Sequence, residues 1–119
     1  MTEINLTLLH GDTYLARLSI ERDGDAADLT GATLKAMIKP DVMTTDANAT
    51  LTLTSGSGLT VVDLQAGTVD IEITPVQSAT LSVGKTYVWD FQVTESGGRI
   101  FTACGGTVKV SLDVVLATS

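Results

Sequence analysis

Between Lys85 and Thr94 the chain reads Lys-Thr-Tyr-Val-Trp-Asp-Phe-Gln-Val-Thr, with a large apolar side chain at every second residue. Tyr87, Trp89, Phe91 and Val93 share one face, and Thr86, Asp90, Gln92 and Thr94 share the other. A period of two, rich in aromatic and β-branched residues, specifies a strand buried on one side. Three of the five aromatics in the chain lie on this face, so it is the expected central strand of the core. Just upstream, Thr74-Pro75-Val76-Gln77 has the form of a helix start. Thr74 can cap, Pro75 suits the first helical position, and Gln77 completes a capping box. Gly84 ends that short turn before the strand begins.

The same alternation recurs along the chain. Ile4, Leu6 and Leu8 alternate with Glu3, Asn5 and Thr7, which predicts a first strand broken at His10-Gly11-Asp12. Tyr14, Ala16, Leu18 and Ile20 line the inner face of a second, and Asp23-Gly24-Asp25 marks a turn. A third places Leu34, Ala36 and Ile38 inward and stops at Pro40. Asp41 to Asn48 has no steady period and is expected to form an exposed loop. Leu51 and Leu53 form a short strand, Ser55-Gly56-Ser57-Gly58 a turn, and Leu59 to Asp63 another strand. Gln65-Ala66-Gly67 turns into a strand that buries Val69, Ile71 and Ile73. Beyond the Tyr87 strand, Glu95-Ser96-Gly97-Gly98 signals a hairpin. Arg99 to Cys104 returns as a strand, Gly105-Gly106 allows a bulge or tight bend, and Val108, Val110, Leu112 and Val114 close the sheet. The tail Leu116 to Ser119 is expected to fray.

Eight or nine strands separated by turn signals, with one helical turn near 75–80, predict an all-β, antiparallel, immunoglobulin-like β-sandwich, with a closed barrel as the alternative. The spacing Leu81-x-x-Gly84-x-x-Tyr87 favours the sandwich. In immunoglobulin-like folds a tyrosine at this place bonds back to the backbone of the preceding corner. Trp89 stands where antibody domains place their second cysteine, so packing is expected to replace the disulfide. With 119 residues and no linker or repeat, the expectation is one domain over 1–119 with a core of its own.

Charge and composition narrow the function classes. Fourteen acids against seven bases give a net charge of −7, and the bases are scattered, which disfavours direct binding to a phosphate backbone. No apolar stretch approaches membrane-spanning length, so no membrane partner is expected. The N-terminus lacks a basic region followed by an apolar run, so a cytoplasmic origin is expected. Cys104 is the one cysteine, which rules out an internal disulfide and predicts a small core thiol.

Candidate chemistry is sparse. His10, the one histidine, sits beside Asp12, but nothing marks the nucleophile and oxyanion site that a catalytic set needs, and a loop histidine is expected. One His and one Cys fall short of a zinc set. Asp23, Asp25 and Asp28 bunch without the spacing of a helix-loop-helix calcium site and are expected to form a solvated turn. Asp70, Glu72, Asp90 and Asp113 alternate with inward residues and belong on solvated strand faces. Tyr14 and Phe101 are the aromatics left for a sugar. No catalytic, cofactor-binding or metal-binding residue is assigned, and no cofactor is expected.

The order of signals carries a resemblance. Gly11-Asp12-Thr13, Asp23-Gly24 and Asp28-Leu29-Thr30-Gly31-Ala32-Thr33 are followed by Gly67-Thr68-Val69, Thr74-Pro75 and Leu81-Ser82-Val83-Gly84. Then come Tyr87-Val88-Trp89-Asp90, Gly97-Gly98-Arg99, Gly106-Thr107-Val108 and Asp113-Val114. Over nearly its whole length the chain resembles small tailed-bacteriophage and prophage structural proteins with immunoglobulin-like sandwiches. It is similar in particular to the N-terminal domain of phage upper baseplate proteins. Those proteins continue into a stalk and trimerising region, whereas this chain ends at Ser119, and Val115 replaces the threonine of their Asp-Val-Thr ending. The resemblance implies a free-standing structural component of a virion, in tail, baseplate, neck or head decoration. Its implied partners are other virion proteins and copies of itself. The alternatives are a host-glycan-binding module at a tail tip and a non-virion prophage accessory protein.

Overall fold

The computed structural model describes residues 2–22 and 24–112. Asp23, Asp113, Val114 and the tail 116–119, each given an expected place above, lie outside the described residues. The described chain forms eleven strands, one α-helix and one 3-10 turn. The strands are β1 (Thr2–Glu3), β2 (Leu6–Leu9), β3 (Tyr14–Ser19), β4 (Glu21–Arg22), β5 (Asp25–Ala26) and β6 (Thr33–Lys39), then β7 (Leu51–Ser55), β8 (Gly58–Asp63), β9 (Thr68–Ile73), β10 (Thr86–Thr94) and β11 (Ile100–Ser111). The helix α1 spans Pro75–Ala79 and the 3-10 turn Asp46–Asn48.

β4 and β5 form a small hairpin of their own, and the rest form one curled mixed sheet in the order β1-β11-β10-β6-β7-β8-β9-β3, with β2 also on β11. The chain changes layers at Ser55-Gly56-Ser57-Gly58, where β7 and β8 touch through two residue pairs. One layer holds β1/β2, β11, β10, β6 and β7; the other holds β8, β9 and β3. The all-β, sandwich-like architecture is the expected one. The strictly antiparallel pairing is not: β1 and β2 run parallel to β11, and the β7–β8 contact is parallel too.

β10 lies between β11 and β6, with antiparallel registers to both. Tyr87, Trp89, Phe91 and Val93 are all buried, and they meet Leu34, Ala36 and Ile38 from β6 and Val69, Ile71 and Ile73 from β9 in one core cluster. Alternation thus placed the inner faces correctly in every long strand. The capping box of α1 is formed on both sides, with the Gln77 N–H donating to Thr74 Oγ1 at 3.2 Å and the Thr74 N–H to Gln77 Oε1 at 2.9 Å. The corner after it is also as expected. The Ser82 N–H donates to Tyr87 Oη at 2.9 Å, so the tyrosine bonds back to the corner that precedes its strand.

Three local expectations are corrected. The first strand is split at Ile4-Asn5, because those residues serve other partners. Ile4 O accepts the Trp89 indole N–H at 2.8 Å, and Asn5 Oδ1 accepts the Thr107 N–H at 3.0 Å. The second concerns Gly105-Gly106, which make neither bulge nor bend. β11 runs straight through them as one strand, and the register slips instead opposite Phe91/Gln92, where Cys104 and Thr102 are the successive partners. The glycines are there for close approach: a Cβ on Gly105 would stand 2.6 Å from Trp89 O, and one on Gly106 2.5 Å from Ile4 O. Finally, Leu112 does not close the sheet, being 60% exposed just past the end of β11.

Candidate interaction surface

The residues singled out for chemistry turn out to be dispersed. The His10 ring Nε2 donates to Ala79 O at 3.1 Å, which ties the β2–β3 turn to the end of α1. Beside it lies a contact that the sequence did not reveal. Ser78, fully buried, accepts the Gly11 N–H at 3.0 Å and donates to Asp12 O at 2.8 Å. This hydroxyl clamps the turn from within, and only its position one helical turn after the cap could have hinted at burial.

Cys104 is buried in the core, and burial, with a smaller contribution from the Asp90 charge, pushes its thiol up to about 11. It is held in the unreactive protonated form at neutral pH. Asp28 closes a turn, accepting the Thr30 hydroxyl at 2.6 Å and the Thr30 N–H at 3.0 Å. Those bonds favour the carboxylate and lower its pKa. Asp25 is exposed in the β4–β5 hairpin. Among the described residues, no three His, Cys, Asp or Glu side chains converge as a metal site would require. Glu72 and Asp90 are exposed, as expected of outward strand positions. Asp70 is partnered: the Arg17 guanidinium bonds it at 2.7 and 3.1 Å and holds its carboxyl below the usual range.

The two aromatics left for a sugar are not brought together. Tyr14 starts β3 opposite Ile73, next to α1, half-buried against the core. Phe101 lies opposite Val93, near the other end of β10. The Arg22 guanidinium covers it 4.8 Å from the ring centre, while also pairing with Glu95. Thr2, Glu21, Gly24, Thr102 and Ala103 complete the cleft around Phe101, of about 490 Å³, with a mostly polar lining. Trp89 is only 5% exposed and its N–H is used within the fold, so it is a core anchor and not a stacking platform.

What remains at the surface are edges and loops. The β1/β2 edge is interrupted at Ile4-Asn5, and interruption of this kind blunts an edge against pairing. The β3 edge is continuous and, among the described residues, has β9 as its one partner across six unbroken residue pairs. On the loop between β6 and β7, Val42 and Met43 are 78% and 86% exposed, and the Lys39–Asp46 ion pair at 2.7 Å pins the far end of this loop. No helix among the described residues is long and apolar enough to cross a membrane.

No family model and no curated protein matches the chain in sequence. Among solved structures, the N-terminal domain of phage TP901-1 ORF48 matches with a TM-score of 0.60 at 16% identity, covering 93% of this chain and 99% of that one. The soluble domain of PmoD from Methylocystis matches at 0.48 and 15% identity over 88% of this chain and 77% of its own. CopC from Methylosinus trichosporium OB3b matches at 0.44 and 15% over 92% and 90%. The phage domain shares the fold from end to end. The weaker two add nothing to that.

Proposed function

We propose that this chain is a non-catalytic structural component of a bacteriophage or prophage particle, acting through contacts with other virion proteins and with copies of itself. The observation that carries this reading is the end-to-end match in fold to a domain from a phage protein, with 99% of that domain covered. It agrees with the resemblance in signal order to phage baseplate N-terminal domains. The surface fits such work: an open strand edge at β3, exposed Val42 and Met43 on a loop, and outward faces rich in threonine. Repeated patches on a symmetric particle suit surfaces of this kind.

The glycan-binding reading has less in its favour. Tyr87 and Trp89 are buried, and Phe101 lies under Arg22. Mass spectrometry of purified particles is the direct test. Many copies per particle are expected. Their absence from particles of a phage that expresses the protein would replace this reading with that of an accessory factor.

A further inference from the structure

β3 ends the sheet order, and the bond from the Ile20 N–H to Gly67 O at 2.8 Å sets the phase of its ladder with β9. Antiparallel ladders alternate, so Leu18–Val69, Ala16–Ile71 and Tyr14–Ile73 follow as the hydrogen-bonded pairs. Leu15, Arg17 and Ser19 fall between them and turn their N–H and C=O groups to the open side. The bidentate Arg17–Asp70 contact agrees with this phase, because side chains approach most closely at the pairs without ladder bonds. Among the described residues, β9 is the one strand on β3 and no other backbone bond reaches Leu15, Arg17 or Ser19, all three of which are exposed.

We propose that a second copy of this chain adds here, β3 against β3, antiparallel about a two-fold axis beside Ala16. Three observations select a second copy as the occupant. The strand is free of the devices that protect edges, having no proline, no bulge and an unbroken register, whereas the other edge of the sheet is split. Its charge is also suited to self-association. A chain carrying −7 repels its copies, but β3 holds one charged residue, Arg17, already neutralised by Asp70 of the same chain. The strand is also self-complementary in the way an isologous contact requires. An axis beside Ala16 sets the smallest side chain of the strand at the close pair and places each Leu15 opposite the Arg17 of the other copy. An axis at Arg17 would set two guanidinium groups face to face. In the chosen register, each Leu15 meets the shallow hollow of about 250 Å³ lined by Leu15, Ala16, Arg17, Asp70 and Ile71 of its neighbour.

This pairing deepens the assembly reading by naming one contact, and its test is made on the isolated protein, so the two can fail separately. Sedimentation equilibrium of the full chain from micromolar to millimolar should show a reversible dimer. Leu15→Pro removes an outward N–H that β9 does not use, and proline is accepted at such edge positions. It should weaken the dimer by at least about tenfold, since symmetry removes two bonds at once. Leu15→Ile keeps both the N–H and an apolar side chain for the hollow and should keep the dimer. In the wild-type protein, amide exchange at Leu15, Arg17 and Ser19 should slow as concentration rises, a readout that holds even if the proline variant fails to fold. A monomer at every concentration, a larger ring, or a dimer whose three amides exchange independently of concentration would overturn the proposal.

Discussion

Removing one oxygen from Tyr87 isolates the energy of the corner. The Tyr87 ring is 4% exposed and packs in the core, and its hydroxyl accepts the Ser82 N–H at 2.9 Å. Ser82 lies just past α1, and its own carbonyl accepts the Lys85 N–H at 3.3 Å as the chain reverses. Phenylalanine keeps the ring, the core volume and the seat for Lys85, whose Nζ stands 5.2 Å from the ring centre. What is lost is one part-buried hydrogen bond, with a backbone donor left facing a gap. A typical bond is worth about 0.5–1.5 kcal/mol net, and the exposure of Ser82 gives no reason to place the cost above that range. For a chain of 119 residues the entropy of unfolding is about 250 cal/mol/K, so each kcal/mol moves Tm by about 4 °C. Tyr87→Phe should therefore melt about 2–6 °C below wild type. Urea unfolding followed by Trp89 fluorescence should show a lower midpoint at unchanged slope, since the area exposed on unfolding is the same. Equal midpoints for the two proteins would refute the reasoning. They would mean that water satisfies Ser82 as well as the phenol does, and the corner would then be a consequence of packing and not a cause of it.

Three further outcomes follow from the same geometry. Ser78→Ala removes the hydroxyl that holds the Gly11 N–H and Asp12 C=O in a part-buried site and should cost about 1–3 kcal/mol by chemical denaturation, with faster amide exchange at Gly11. Gly106→Ala forces a methyl onto Ile4 O and Asn5 Oδ1, and should cost about 1–3 kcal/mol while shifting the Trp89 indole N–H resonance as β1 lifts from β11. Burial pushes the Cys104 thiol up to about 11 in the folded chain, from 9.0 for an unburied thiol. A raised folded pKa gives stability that is complete below the unfolded value and lost as pH climbs through the window between the two. Denaturation midpoints should fall across that window in the wild type and less so in Cys104→Ala; parallel curves would contradict the assignment.

The inner faces were legible because alternation is local. Leu34-Ala36-Ile38, Val69-Ile71-Ile73 and Tyr87-Trp89-Phe91-Val93 need no knowledge of partners to declare which side is buried. The helix start was legible for the same reason, as Thr74 and Gln77 act within one turn. Pairing direction was not. The parallel course of β1 and β2 along β11 depends on residues about a hundred positions away, and alternation is the same for either direction. Gly105-Gly106 misled because glycine in a strand signals either a bulge or a close backbone approach, and only the position of Ile4 and Trp89 decides between them.

The same division explains why function was harder to read than fold. A catalytic site leaves its mark in a few reactive side chains, whereas a surface of the kind proposed above is made of backbone and shape. The open groups of β3 belong to Leu15, Arg17 and Ser19, residues with nothing in common but parity along a strand. Their availability follows from a choice made elsewhere. The N-terminal strands lie on β11, bound there by Trp89 and Asn5, and so do not cover β3. In immunoglobulin domains the first strand belongs to the layer that also holds the second and fifth. Among the described residues that layer ends one strand early, and the contacts that draw the N-terminus across the sandwich are the ones that leave the β3 edge open to the pairing proposed above.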